Sequence, residues 1–447
     1  MDKIQIGKQE VIHFIGIGGI GMSGLAQIMK TMGFNVQGSD LSENKNTENC
    51  KKLGIKILKG HSKKNILNVT IVVKSSAIKN NNIELSYSQK KKIPSYDRIE
   101  MLANIIDLKK KIIVTGSHGK TTTTSLVAKI TSTAKLDPTI INGGVINSIK
   151  NNAKLGKGEW AVVEADESDG SFLKIPINYS IVTNIDKEHL DFYKNFNNLI
   201  KAFIIFIEKT PPIGKTFLCI DDSNIAKILR KLKTKNYFTY GFNKKANYQI
   251  YNPRYAIGYT KFDLKVKNIG PKNLHIKNIS LKLIGKYNVL NATASIALCL
   301  NLGLKIKVIK NALKNFSGVQ RRLTKVFVKN KVEFYDDYAH HPTEIKSVLE
   351  AVRKVTPKKK IITIFQPHRY SRVRTLKSEF ASCFKDTDQL ILCPVYAAGE
   401  SKAQVIIVKD ELDITKYFRK NLTKEEIVIG MGAGSISKWM YNLKNNL

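Results

Sequence analysis

The sequence predicts an α/β protein of three domains, and three observations carry that prediction. Apolar, strand-like runs alternate with helix-like segments along most of the chain, the order expected of parallel sheets covered by helices. The 447 residues correspond to about three hydrophobic cores at roughly 150 residues each. Glycine-rich turns beginning at Gly16, Gly116 and Gly432 each follow a strand candidate, where the backbone would turn sharply at the end of a strand.

Taken in order, residues 11–17 read as a buried strand that turns through glycines into a helix at 21–32, with short strands at 35–38 and 70–73. A second unit opens with a buried strand at 111–115, a Gly/Lys/Thr turn and a helix at 122–133, and continues with strands at 160–164 and 179–183. Residues 261–284 differ: Phe262, Leu264, Val266, Leu281 and Leu283 follow period two, which predicts an antiparallel β insertion. A third unit follows Gly318, with strands at 332–335, 360–365, 389–393 and 427–430. Boundaries near 108 and 319 give domains 1–108, 109–319 and 320–447. Neither internal repeats nor a Pro- or Ser-rich linker are visible.

Apolar residues make up 43% and charged residues 25% of the chain, so a packed core is expected and wholesale disorder is not. No run of eighteen apolar residues is present and 1–7 lacks the pattern of a signal peptide, so a soluble, cytoplasmic protein is expected. The five cysteines are far apart and never paired as C-x-x-C, which argues for reduced thiols and against a disulfide framework or zinc ribbon. Lys and Arg exceed Asp and Glu by 74 to 36, a net charge of +38. Such an excess attracts polyanions. The lysines are nevertheless scattered among Asn and Ile through the whole chain, so compositional drift is favoured over a nucleic-acid or membrane surface.

Gly116-Ser117-His118-Gly119-Lys120-Thr121 stands between a predicted strand and a predicted helix, the context of a phosphate-binding loop. There the glycines let backbone N–H groups face an anion, Lys120 neutralises phosphate charge and the Thr121 hydroxyl can ligate Mg²⁺. Val114 occupies the position of the first glycine in the longer pattern, so the loop is a variant. Two acidic clusters, 164–169 beginning with Glu164 and 184–191 containing His189, follow strand candidates and offer magnesium ligands; a cluster of this kind alone is more often a solvated loop or helix cap, and two of them on strand ends after one phosphate loop strengthen the metal reading. In the first unit, Gly16-Ile17-Gly18-Gly19-Ile20-Gly21 with Asp40 after the next strand has the spacing of a dinucleotide fingerprint, which argues for a diphosphate near the backbone without saying which. In the third unit, 335–342 with its adjacent Asp and His residues and 366–372 with Arg369 and Arg372 follow strands, and suit an amine, proton transfer and an anion.

Together these segments resemble the Mur ligase family over essentially the whole chain: HFIGIGGIGMSGLA at 13–26, VTGSHGKTTTT at 114–124, VEADESDGSF at 163–172, TNIDKEHLDFY at 183–193, GKYNVLNA at 285–292, GVQRRL at 318–323, YDDYAHHPTEI at 335–345 and FQPHRYSR at 365–372. The resemblance implies a Rossmann-like N-terminal domain for a UDP-sugar, a P-loop-type central ATPase domain and a Rossmann-like C-terminal domain for the amino acid. It makes Gly18, Gly19, Ile20, Gly21, Ser75 and Ser76 diphosphate contacts, and places Asp40 and His61 near the uridine ribose. It makes Gly116, Ser117, His118, Gly119, Lys120, Thr121 and Thr122 the triphosphate loop, Thr121, Glu164 and His189 magnesium ligands, and Asn288 and Asn291 adenine contacts. Arg322 resembles a phosphate-contacting arginine, and Tyr338, His340, Arg369 and Arg372 the face that meets the substrates. Ser117 stands where Thr is common and Tyr287 where His is usual.

The activity implied is ATP- and Mg²⁺-dependent joining of L-alanine to the lactyl carboxylate of UDP-N-acetylmuramate, an early cytoplasmic step of peptidoglycan synthesis. An acyl phosphate would form first, and the amine would then displace phosphate, with Lys120, His189, His340, Arg369 and Arg372 as the catalytic group. Small molecules would be the only partners, with no nucleic acid and no membrane insertion, in a monomer or homodimer. The related ligase that attaches a murein tripeptide to the same sugar nucleotide shares most of these segments. A nucleic-acid-dependent ATPase would explain the charge but lacks a basic face interleaved with aromatics. An NAD-dependent dehydrogenase would explain the first glycine loop and Asp40, but not the second loop, the acidic clusters or the His340-His341 pair.

Overall fold

The structure, a computed structural model, describes residues 4–267, 273–396, 410–421 and 426–447. Parts of two sequence readings, 1–3 at the start and 268–272 in the β insertion, lie outside the described residues. Three separate sheets are present. The first contains β1 (Val11–Ile15), β2 (Asn35–Asp40), β3 (Lys56–Lys59), β4 (Ile71–Lys74) and β5 (Ser95–Asp97), ordered β3-β2-β1-β4-β5 with every pairing parallel. The order reverses at β1, so the crevice for a ligand opens above its carboxyl end.

The second sheet holds ten strands: β6 (Lys110–Thr115), β7 (Thr139–Ile146), β8 (Asn151–Lys154), β9 (Trp160–Glu164), β10 (Tyr179–Val182), β11 (Lys215–Cys219), β12 (Tyr237–Gly241), β13 (Tyr248–Ala256), β14 (Tyr259–Val266) and β15 (Leu274–Leu281). Their order is β15-β14-β13-β12-β11-β10-β6-β9-β7-β8, which sets β6 between β10 and β9, parallel to both. A two-residue turn joins β13 to β14, a connection only an antiparallel pair permits, as the alternation predicts. The third sheet is β16 (Thr324–Lys329), β17 (Val332–Asp337), β18 (Lys360–Phe365), β19 (Gln389–Leu392) and β20 (Glu426–Met431), ordered β16-β17-β20-β18-β19, parallel except for the β16–β17 pair.

The apolar strand runs become cores for the reason the sequence gives: strands covered on both faces must be apolar on both. Ile112, Ile113, Val114, Val162 and Val163 are fully buried in the second sheet, and Phe334, Ile362, Ile364 and Val428 in the third. Observed ends shift by a few residues from the predicted ones. β1 stops at Ile15 because Gly16 turns with φ 80° and the N–H groups of Gly16 and Ile17 both donate to Ser39 O, at 2.9 and 3.0 Å. The five cysteines are free and buried, and burial pushes the thiols of Cys50, Cys219, Cys383 and Cys393 up to about 12, so they stay unreactive.

Two compact units can be delineated. One runs to Asn252 and adds Phe262–Ile279 and Leu290–Ser317; the other comprises Pro253–Lys261, Ser280–Val289 and the chain from Gly318. Within the first unit, helix Ile20–Thr31 packs against β7 and β8. Asn152 Nδ2 donates to Ile20 O at 2.7 Å, and a Cβ on Gly24 would lie 2.8 Å from the same amide nitrogen, so glycine is what lets helix and strand approach. Among the described residues, no helix is long and apolar enough to cross a membrane.

Candidate active site

The sheet order brings three loops together at the carboxyl ends of neighbouring strands β9, β6 and β10. After β6, Gly116 and Gly119 take φ values of 127° and 82°, and helix Lys120–Thr133 begins at once. Its N-cap, Gly119, has no side chain to satisfy the first N–H groups, which stay available to an anion. The loop after β10 clamps this turn. Asn184 O accepts from Ser117 N at 3.0 Å, Asn184 Oδ1 accepts from His118 N at 2.8 Å, and Asp186 Oδ2 lies 2.9 Å from His118 Nε2. Thr183 Oγ1 donates to His118 O at 2.6 Å, and Ser117 Oγ accepts from Asp186 N at 2.8 Å. The acidic segment 184–191, read from sequence as a possible ligand set, thus spends Asn184 and Asp186 on shaping the turn 116–119.

Lys120 is nearly buried. Its Nζ donates to Gly116 O at 2.7 Å, to Ser117 O at 3.3 Å and to Glu167 Oε2 at 2.7 Å, with Asp166 Oδ1 at 3.9 Å. Burial alone would strip the ammonium of its proton, but the carboxylates of Glu167, Asp166 and Glu164 reverse this and hold its pKa above the ordinary value. Glu167 is wholly buried; burial would raise its pKa, yet the charges of Lys120 and His189 keep it below the usual carboxylate range. His189, whose Nε2 lies 3.5 Å from Glu167 Oε1, follows the same logic in reverse: burial favours the neutral ring, and Glu167 with Glu188 and Asp166 raises its pKa.

Of the sequence-assigned metal ligands, Thr121 and Glu164 are together: Thr121 Oγ1 donates to Glu164 Oε1 at 2.9 Å, while Gly143 N donates to Glu164 Oε2 at 2.6 Å. His189 instead groups with Asp166 and Glu167, one ligand atom from each lying within 4.8 Å of the others. Glu167 is the residue that sequence reasoning left without a role. Its signal was only its place within the strand-end cluster; its partner lies 47 residues away. The set fits a hard divalent cation: hydroxyl and carboxylate oxygens predominate, and buried Glu167 Oε1 accepts no hydrogen bond among the described residues. Thr122 is buried one residue beyond Thr121, and Asn291 packs on the loop, its Oδ1 standing 2.6 Å from where a Cβ on Gly119 would be.

In the first sheet, the turn after β1 leads through Gly18 and Gly19 into helix Ile20–Thr31, whose N-cap Gly19 again leaves the first-turn N–H groups uncapped. Asp40, at the end of β2, accepts from Gly18 N at 2.8 Å, and Asn46 Nδ2 donates to Gly18 O at 2.8 Å. Asp40 therefore braces the glycine turn. Gly21 lies against Arg98, and Ser75 begins the turn after β4 beside Gly16, with Ser76 exposed next to it. His61 follows β3, and its Nδ1 is 3.0 Å from Ser39 Oγ and 3.1 Å from Glu84 Oε2.

The second unit carries the remaining candidates. Tyr338, His340 and His368 form a row of edge-on rings with centroids 5.2 and 5.6 Å apart, and Arg372 Nη1 is 3.1 Å from His368 Nδ1. The guanidinium groups of Arg321 and Arg322 lie 4.8 and 5.3 Å from the Tyr338 ring centroid. Arg369 adopts φ 66° at the start of helix Tyr370–Thr375. Asp337 is fully buried, which pushes its pKa up to about 6 against the pull of Arg322 and the N–H groups of Ala339 and Leu323. Asn288 donates to Ile284 O at 2.8 Å.

Comparison with known proteins covers the whole chain. Three family models match in order: the Mur ligase family catalytic domain over 11–110, the Mur ligase middle domain over 114–299 and the Mur ligase glutamate ligase domain over 321–434. The UDP-N-acetylmuramate–L-alanine ligase of Pelagibacter ubique is 54% identical over 99% of both chains, and that of Brucella anthropi 41% identical over 98% of this chain and 97% of its own. Among solved structures, the UDP-N-acetylmuramate-alanine ligase of Thermotoga maritima superposes with a TM-score of 0.82 at 29% identity, over 97% of this chain and 98% of that one. A murein peptide ligase from Psychrobacter arcticus shares the fold, with a TM-score of 0.72 at 19% identity over 98% of each chain.

Proposed function

The chain belongs to the Mur ligase family, and from that membership we propose that it is the cytoplasmic ligase that joins L-alanine to the lactyl carboxylate of UDP-N-acetylmuramate, consuming ATP, in peptidoglycan synthesis. The observation that carries the ATP-dependent half is the uncapped loop with Lys120 held at 2.7 Å by Glu167 beside the Thr121–Glu164 pair. The choice of alanine rests on full-length similarity to ligases of that specificity. Domains 1–108, 109–319 and 320–447 would bind sugar nucleotide, ATP and amino acid.

A carboxylate is a poor electrophile, so its oxygen first attacks the γ-phosphorus of ATP and ADP leaves, giving an acyl phosphate. The alanine amine then attacks the acyl carbon, phosphate departs with the C–O bond electrons, and the amine's proton passes to a base. Lys120, kept protonated by its carboxylates, would exchange part of that shell for the β/γ-phosphates and stabilise charge developing there. The first-turn N–H groups of helix Lys120–Thr133 would hold phosphate oxygens. Thr121, Glu164 and His189 would hold Mg²⁺, which when bound neutralises triphosphate charge that the surrounding acids would otherwise repel. Asn291 would position the nucleotide over Gly119, with Asn288 as a further adenine contact. Gly18 to Gly21, Ser75 and Ser76 would hold the UDP diphosphate, with Asp40 and His61 toward the nucleoside. Arg322, Tyr338, His340, Arg369 and Arg372 would meet phosphate, amine and carboxylate, and His340 would accept the amine proton.

The test is phosphate release from ATP with UDP-N-acetylmuramate present, offering L-alanine, other free amino acids and a murein tripeptide in turn. Release with L-alanine is expected. Release with the tripeptide alone would replace this reading by that of the peptide-attaching relative, and no release with any amine would end it.

A further inference from the structure

One buried polar cluster is left over by the reading above. Glu84, in helix Ile83–Lys90, is wholly buried, yet its carboxylate receives five contacts. Oε1 accepts from Asn65 Nδ2 at 2.6 Å and Ser62 N at 3.2 Å. Oε2 lies 2.6 Å from Ser39 Oγ, 3.1 Å from His61 Nδ1 and 3.4 Å from His13 Nε2. Burial works against the charge, but His13, Ser39 and Asn65 bring its pKa down to about 2, so the group is an anion that only accepts.

Proton accounting then fixes the rings. Ser39 has one hydroxyl hydrogen, and the 2.6 Å contact to a carboxylate oxygen requires it there. Ser39 Oγ can therefore only accept from His61 Nδ1, 3.0 Å away, and both atoms facing that nitrogen are acceptors. His61 Nδ1 must carry a hydrogen. His13 is fixed the opposite way, because Gln37 Nε2 lies 3.2 Å from its Nδ1 and points a hydrogen at it, leaving Nε2–H for Glu84 and Ser39. His61 differs from its buried partners in being 12% exposed, and its Nε2 makes no hydrogen bond among the described residues. It follows β3, where Gly60 N donates to Asp40 O at 2.7 Å, and so stands at the carboxyl edge of the sheet where open α/β sheets take their ligands.

We propose that Glu84 is a positioning residue for substrate recognition: it holds the hydrogen of His61 on Nδ1, so that the ring presents Nε2 as an acceptor to a hydroxyl or imide N–H of the UDP-sugar's nucleoside. A purely structural role would be served as well by apolar side chains of equal volume, since burying a carboxylate with its donors rarely adds stability. A ligand-facing nitrogen that must accept requires its other nitrogen to be held as a donor, and a buried carboxylate does that.

The proposal rests on the UDP-sugar reading, and two measurements separate them. In the full-length enzyme labelled with ¹⁵N-histidine, two-bond proton–nitrogen correlations, assigned by loss of one ring in H61Q, are expected to show His61 protonated at Nδ1 when neutral, with E84Q turning it into a tautomer mixture. An Nε2–H ring in the unaltered enzyme would overturn the proposal. In steady state, E84Q is expected to raise KM for UDP-N-acetylmuramate about tenfold, the worth of one hydrogen bond, leaving KM for ATP within about twofold. In an H61A background, E84Q should add no further rise. An equal rise with and without His61, or an H61A enzyme with unaltered KM for the sugar nucleotide, would refute the proposal while the function stood. An unaltered enzyme that forms no phosphate from that sugar nucleotide would refute the function, and the tautomer result would still stand alone.

Discussion

Replacing Lys120 by Met keeps most of the side-chain length and removes the ammonium group, with its charge and its hydrogen bonds to Gly116 O, Ser117 O and Glu167. In the parent, Glu167 is wholly buried with Lys120 Nζ at 2.7 Å and His189 at 3.5 Å. Lys120→Met leaves the carboxylate with the His189 ring, 3.5 Å away, as its nearest remaining basic group. Stranding one member of a buried pair costs about 3–5 kcal/mol, and His189 places this case near the lower end, at about 3 kcal/mol at pH 7. Glu167→Gln added to Lys120→Met removes the stranded charge and should recover most of that loss, to within about 1 kcal/mol of the parent. The two tryptophans are Trp160, which opens β9 in the same sheet as the site, and Trp439. Urea unfolding followed by Trp160 fluorescence in a Trp439→Phe background reads the relevant unit. The sign with pH is also fixed. In the parent, Glu167's pKa is held low, so its contribution is present above the unfolded carboxylate value of about 4.3 and disappears as pH falls through the folded one. In Lys120→Met, burial pushes that pKa up, so the variant's deficit should shrink between pH 7.5 and about 5. Turnover should fall about 10²- to 10³-fold in both variants, because the cation proposed to meet the phosphates is absent from each. A Lys120→Met enzyme as stable as its parent, or a double variant no more stable than the single one, would refute the account of the pair.

Glu164→Gln and Thr121→Val should each raise the Mg²⁺ concentration needed for half-maximal phosphate release about tenfold or more, measured by magnesium titration at saturating ATP. Gly119→Ala forces a Cβ to within 2.6 Å of Asn291 Oδ1 at φ 82°, and should weaken nucleotide binding about tenfold by fluorescence titration while leaving sugar-nucleotide binding unchanged. Asp337, held up at about 6 by burial, binds its proton more tightly in the folded state than in the unfolded one. Its burial cost therefore appears as pH rises from about 4 to 6 and reaches about 3 kcal/mol above that range. Asp337→Asn should flatten that fall in stability, read by Trp439 fluorescence in a Trp160→Phe background.

What the sequence determined by itself was local. The glycine turn before helix Lys120–Thr133, the glycine turn before helix Ile20–Thr31 and the apolar strands β6, β9 and β18 were legible because backbone permissiveness at glycine and burial on both sheet faces leave marks within a few residues. Edge elements left none. β8, with the sequence Asn-Asn-Ala-Lys, and the short β3 have no apolar periodicity, and their pairing to β7 and β2 comes from neighbouring backbone. Only the tertiary structure decided which charges meet. Placing β6 between β9 and β10 sets Glu167 against Lys120 and turns 183–186 into a clamp, and the order of the first sheet gathers His13, Ser39, His61 and Glu84 from four separate segments. Electrostatic partnership depends on distance in space and on the exclusion of water, and neither is encoded in the spacing of residues along a chain.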